Sequence, residues 1–188
     1  MANIGVFCSS LEGKKKFSEL AHNLGVRIAE TDSSLVYGGG KLGLMGIIAN
    51  AVKKNDSKVI SVIPHYLNKS SITFAESDEI YETKDLFERK KKLVHYSDIL
   101  VALPGGVGTI DEIFDVIALF ALGETEKPIF LLNVDNFWDP LIKLLNHLRK
   151  NKMIRPSNDE FIEARSLNNL FVVETLDELF SHTEFNFN

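Results

Sequence analysis

The sequence predicts one α/β domain built on a doubly wound, mostly parallel sheet with helices on both faces. Three observations carry this. Short runs that are apolar throughout alternate with longer stretches of helical periodicity. Strands without polar alternation are buried on both faces, and parallel neighbours need crossover helices between them. Two of the runs end in glycine clusters, Gly38-Gly39-Gly40 and Gly105-Gly106 with Gly108, and each cluster leads directly into a helical stretch.

In chain order, Ile4-Gly5-Val6-Phe7-Cys8 reads as the first strand, and Phe17, Leu20, Ala21, Leu24 and Ile28 then recur at helical spacing. Leu35-Val36-Tyr37 is a second strand ended by glycines, and Leu44 to Val52 is helical. Val59 to Ile63 is a third strand, stopped by Pro64. From His65 to Ser77 the pattern is lost and a surface loop is expected. A brief strand near Glu79 to Glu82 precedes a helix from Leu86 to Tyr96. Next come a strand at Ile99 to Leu103, a helix from Thr109 to about Leu122 and a strand at Ile129 to Val134. A helix from Pro140 to Lys150, a strand on Phe171-Val172-Val173 and a helix from Leu176 to Ser181 complete the pattern. No repeat, low-complexity segment or Pro/Ser-rich linker interrupts it, so residues 1–188 read as a single Rossmann-like domain. In such sheets the ligand sits beyond the carboxyl ends of the strands, where strand order reverses. Cys8-Ser9-Ser10, Gly38-Gly39-Gly40 and Pro104-Gly105-Gly106 all follow strands, so they should converge on one edge.

Composition narrows the function classes. The 188 residues are 45% hydrophobic and 25% charged, with a net charge of -5. That describes a soluble globular protein and favours neither nucleic acid nor an anionic membrane as partner. A single cysteine, Cys8, cannot form an internal disulfide, which fits a reducing compartment. No signal-peptide pattern and no apolar run of membrane-spanning length is visible, so the expected location is the cytoplasm. The five histidines are scattered without H-x-x-x-H spacing or a cysteine partner, so no metal site is expected.

The segment Pro104-Gly105-Gly106-Val107-Gly108-Thr109-Ile110-Asp111-Glu112 carries the most chemical information. Its glycines let the main chain approach a ligand closely, and the following helix turns its free N–H groups and positive dipole end toward an anion such as phosphate. Glu112 adds an acid beside that cradle. Turn formation and a dipole-stabilised acid would explain the same residues without catalysis. Tyr37-Gly38-Gly39-Gly40-Lys41-Leu42-Gly43-Leu44-Met45-Gly46 is a second cluster that supplies donors to a phosphate or only permits tight turns; it is neither G-x-G-x-x-G nor Walker A. In Glu88-Arg89-Lys90-Lys91-Lys92, the sharp reading points Arg89 into the cleft, with paired hydrogen bonds to phosphate or ribose and Lys90 as a second cation. The bland reading is a solvated face, where Lys91 and Lys92 are placed in either case. Ser9 and Ser10 bind phosphate or cap the next helix. Asp135 touches ligand or caps a turn, and Asp98 is structural. Cys8 is a small buried residue near the cleft.

These segments together resemble the LOG ("Lonely Guy") family of cytokinin riboside 5'-monophosphate phosphoribohydrolases, long labelled "possible lysine decarboxylase". The resemblance covers nearly the whole chain. It rests on P-G-G-x-G-T-x-x-E at Pro104 to Glu112, the pair Arg89-Lys90, the glycine cluster from Tyr37 to Gly46, the opening Ile4 to Ser10, and Leu131-Leu132-Asn133-Val134-Asp135. It implies a homodimeric Rossmann-like fold and hydrolysis of the N-glycosidic bond of a nucleoside 5'-monophosphate, such as a cytokinin riboside monophosphate or AMP, with no cofactor. It implies that Arg89 and Glu112 are needed for activity. A substrate site of Ser9, Ser10, Gly39, Gly40, Gly43, Met45, Arg89, Lys90, Gly105, Gly106, Val107, Gly108, Thr109 and Asp111 is then expected, with Asp111 assisting Glu112. Decarboxylation fits poorly, because no lysine stands in a pyridoxal phosphate context. Departures from plant members at Val107, at His65-Tyr66 after Pro64, and at Leu86-Phe87 bear on base preference and not on the reaction. The rival reading is a non-catalytic protein that binds or carries a nucleotide or the molybdenum cofactor.

Overall fold

The computed structural model describes residues 2–154 and 167–185. Seven strands form one sheet: β1 (Asn3–Phe7), β2 (Ser34–Tyr37), β3 (Val59–Pro64), β4 (Glu79–Thr83), β5 (Ile99–Ala102), β6 (Ile129–Leu132) and β7 (Leu170–Val173). Their order is β4-β3-β2-β1-β5-β6-β7, and every pairing is parallel. The apolar runs in the sequence are therefore strands covered on both sides, as parallel crossovers require. The order reverses between β1 and β5, which opens a crevice at their carboxyl ends.

Among the described residues, the helices α1 (Lys15–Glu30), α2 (Gly43–Lys54), α3 (Leu86–Tyr96), α4 (Val107–Ala121) and α5 (Asp139–Lys150) lie between strands, and α6 (Leu176–Ser181) follows β7. Successive strand residues point to opposite faces. Ile4, Val6, Leu35 and Tyr37 pack on one face with Leu24 and Ile28 of α1 and Ile48 and Val52 of α2. Phe7, Val36, Ile60 and Val62 pack on the other with Leu93 of α3, Ile113 and Val116 of α4 and Leu141 of α5. On the first face, α1 meets α2 closely at Gly25, where a Cβ would lie 2.7 Å from Ala51 Cβ and 2.8 Å from Ile48 O.

One boundary that matters differs from the sequence reading, and one reading left open there is decided. The helix after β5 begins at Val107, not Thr109, so it starts inside the glycine run with Gly106 as its N-cap. The first long helix begins at Lys15, with Lys14 as its N-cap, so Ser9 and Ser10 do not cap it. The expected loop from His65 to Ser77 holds a short 3-10 turn, His65–Leu67, and returns to bridge Gly40 through Thr73. The edge strand β4 carries exposed Glu82 and half-buried Glu79, which pairs with Lys58. Lys92 Nζ donates to the Glu82 carbonyl at 3.2 Å, so this lysine, expected to be solvated, ties α3 to the end of β4.

Leu24 is wholly buried between α1 and the sheet. Leu24→Ala should lower the unfolding free energy by about 2–5 kcal/mol, measured by urea denaturation. A loss within experimental scatter would contradict this packing.

Candidate active site

A crevice of about 290 Å³ opens at the β1/β5 parting. Its walls come from three turns, as the sequence predicts. Cys8, Ser9, Ser10 and Leu11 come from the turn after β1, Gly38 and Met45 from the turn after β2 and the start of α2, and Gly106, Val107, Gly108, Thr109 and Glu112 from α4. Arg89 enters from α3.

The α4 N-terminus supplies the anion cradle. The amide of Ile110 bonds back to Gly106 O at 3.0 Å. The amides before it, on Val107, Gly108 and Thr109, belong to the orphan donors of a helix start, and their residues line the crevice. The glycines divide by cause. At Gly105 a Cβ would strike Thr109, so tight packing explains it. At Gly106 and Gly108 a Cβ would meet nothing within 4 Å. No protein atom demands glycine there; the missing side chains leave room for a ligand against the backbone.

At the crevice floor, Arg89 Nη1 donates to Glu112 Oε1 at 2.7 Å. Arg89 Nε donates to Val62 O at 3.2 Å, which fixes the guanidinium plane. Gly38 makes this possible: a Cβ there would collide with Arg89 Nη2. Glu112 is only 7% exposed. Burial raises its carboxyl above the ordinary 4.5, while the charge and hydrogen bond of Arg89 pull it back down. Burial and the neighbouring Glu112 also push the Cys8 thiol up, so Cys8 stays protonated and unreactive.

Several expected site residues stand behind the lining. Gly39, Gly40 and Gly43 shape the second turn: Gly43 has a φ of 60° and runs against the Ser10 backbone, and a Cβ on Gly40 would sit 2.8 Å from Met45 Cε. Lys90 and Asp111 depart from expectation. They do not line the crevice; Lys90 Nζ donates to Asp111 Oδ1 and to Asp115 Oδ1, each at 3.1 Å, behind it. A helical wheel places Arg89 and Lys90 about 100° apart, and here only Arg89 lines the crevice. Asp135 pairs with Lys14 and Lys16 at a turn of its own, and Asp98 accepts from the Asn3 amide at 2.8 Å, a structural role. Leu11 and Gly38 are lining residues that the site prediction missed. Gly38 was legible as the first glycine after a strand, but its partner lies 51 residues away in sequence.

An all-parallel sheet with a glycine-built anion cradle and a buried Arg–Glu pair at its switch point defines a Rossmann-like protein whose crevice suits an anionic ligand. Residues 45–175 match the family described as "Possible lysine decarboxylase". The chain belongs to this family. It is 40% identical over 81% of its length to a rice (Oryza sativa subsp. japonica) protein named "Probable cytokinin riboside 5'-monophosphate phosphoribohydrolase LOGL2", of which the match spans 63%. It is 37% identical over 85% of its length to cytokinin riboside 5'-monophosphate phosphoribohydrolase LOG3 of Arabidopsis thaliana, 74% of which is covered. The chain thus spans less than two thirds of the rice relative. Among solved structures, the molybdenum cofactor binding protein of Rippkaea orientalis has the same fold, with a TM-score of 0.68 at 22% identity over 95% of this chain and 93% of that one. The molybdenum cofactor carrier protein of Chlamydomonas reinhardtii is similar, with a TM-score of 0.67 at 22% identity over 96% and 94%.

Because Gly108 faces open space, Gly108→Ala should leave Tm unchanged or higher yet weaken inorganic phosphate binding in calorimetry. Gly105→Ala should lower Tm through its clash with Thr109. The reverse pattern would remove the cradle from a ligand role.

Proposed function

We propose that this protein hydrolyses the N-glycosidic bond of a nucleoside 5'-monophosphate, releasing the free base and ribose 5-phosphate. The observation that carries this is the Glu112 carboxylate, buried against Arg89 beside the N-terminus of α4. The chemistry fits. Breaking the bond at C1' builds positive charge on the ribose, as in the oxocarbenium-like transition state of glycosidases. A desolvated carboxylate stabilises that charge strongly and can hold or deprotonate the attacking water. Arg89 is no general acid, because a guanidinium keeps its proton. It orients Glu112 and fixes ribose and phosphate oxygens. The amides of Val107, Gly108 and Thr109 take the 5'-phosphate, with Ser9 and Ser10 on the opposite wall. Asp111, held by Lys90, gives Glu112 no direct help at the reacting carbon.

The names of the curated relatives support this reading and point to cytokinin riboside 5'-monophosphates as substrates beside AMP. We take the protein to act as a homodimer in the cytoplasm, through one catalytic domain and without a cofactor. Among the described residues no helix is long and apolar enough to cross a membrane. Carriage of the molybdenum cofactor is the rival; those neighbours, at 22% identity, share the fold alone.

Purified protein should release adenine from AMP and far less from adenosine, because a remote phosphate contributes several kcal/mol of orientation. Equal rates would refute the phosphate's role, and no release from any nucleotide would favour a carrier. Glu112→Gln should abolish release while preserving the circular dichroism spectrum. Ionised Glu112 is the working form and its carboxyl is raised, so activity falls with falling pH. The acidic limb of kcat/KM should therefore lie above the ordinary 4.5. A limb below that value would assign the titration to another group.

A further inference from the structure

Lys90 stands outside the crevice, yet it is 8% exposed. Its Nζ lies 3.1 Å from both Asp111 Oδ1 and Asp115 Oδ1. Those acids are one turn apart on α4, so a single cation bridges them. The Phe87 ring centre lies 5.6 Å from the same nitrogen. Arg89, the chain neighbour of Lys90, reaches Glu112, the chain neighbour of Asp111. Two adjacent rungs therefore join α3 to α4, one within the crevice and one behind it. Burial opposes the Lys90 charge, but hydrogen bonds to Asp115 and Asp111 outweigh it and raise the ammonium above the ordinary lysine range. The Lys90 end of the rear rung therefore keeps its charge at neutral pH.

We infer that Lys90 is a positioning residue: by clamping Asp111 and Asp115 it fixes α3 against α4, so that Arg89 and Glu112 meet in register. This rests on the phosphoribohydrolase reading. It also replaces a direct hold on substrate, expected from the sequence, with an indirect role. Glu112 is faced by Arg89 and Lys90 from α3, by Asp111 on its own helix and by the Cys8 thiol from the end of β1. The two cations favour its ionised form and Asp111 opposes it. Losing Lys90 therefore removes one of the two cations and leaves Arg89 alone against Asp111.

Lys90→Met keeps the volume of the aliphatic stem and removes the charge. The Asp111 and Asp115 side chains are 60% and 37% exposed, so water can solvate them and the fold survives. Lys90→Met should lower kcat for AMP by about a hundredfold, the scale of a small misplacement of catalytic groups, and leave KM near the wild-type value. The Glu112 titration midpoint should move up, read by NMR of 13C-labelled glutamate with Glu112→Gln as the assignment control. Lys90→Arg should restore both. A higher KM with unchanged kcat would overturn the inference by placing Lys90 on the substrate phosphate. A lower Tm with kcat and the titration unmoved would overturn it as well, leaving a structural tie only. The NMR reading needs no turnover. A wild-type protein that releases no base refutes the phosphoribohydrolase reading, while the Glu112 titration still decides whether Lys90 governs the pair.

Discussion

A carboxylate removed from water next to a ligand-binding turn is tolerable only with a cation fixed against it. The contact between Arg89 and Glu112 meets that condition, and much of the surrounding structure serves it. Arg89 reaches the crevice because Gly38 has no side chain, and it keeps its plane because Val62 offers a carbonyl. Glu112 stands where it does because α4 begins at Val107, inside the glycine run, which sets the rotation of every later residue on that helix. Such a pair adds little net stability, since desolvation offsets much of the attraction. Its value is a fixed geometry and a low-dielectric setting in which charge acts strongly.

The two faces of the sheet divide the labour. On one, α1 and α2 pack against each other across Gly25 and supply turns to the crevice only at their leading ends. On the other, α3 and α4 carry the charged side chains and are tied by ion pairs as well as by their apolar faces. An apolar contact alone tolerates small slides of one helix along another. A pair of charged rungs one residue apart specifies both slide and rotation.

The sheet and the three converging turns were legible because their signals are local: continuous apolar runs and glycines directly after them. Glu112 and the cradle amides were legible because one motif fixes their spacing, whereas Arg89 was legible through the family resemblance. The rear rung was not. Helical periodicity tells which residues share a face, but not which acid on another helix a lysine will find; Lys90 reads as a second cation near the ligand, and its nitrogen meets Asp111 and Asp115. Ser9 and Ser10 read equally well as a helix cap until the distance to Lys15 was known. The α4 start was misplaced by two residues because glycine ordinarily weakens a helix, whereas Gly106 serves here as N-cap and Gly108 lies in the first turn.

The open border at β4 has a consequence of its own. A parallel sheet that ends in an uncovered strand offers a template for stray chains to add themselves, the first step toward aggregation. Here Glu79, paired with Lys58, and exposed Glu82 place charged side chains along that border, and the Lys92 ammonium bonds the Glu82 carbonyl near the strand's end. The helix that carries Arg89 toward the crevice thus also ties down the last residues of that border, three positions further on.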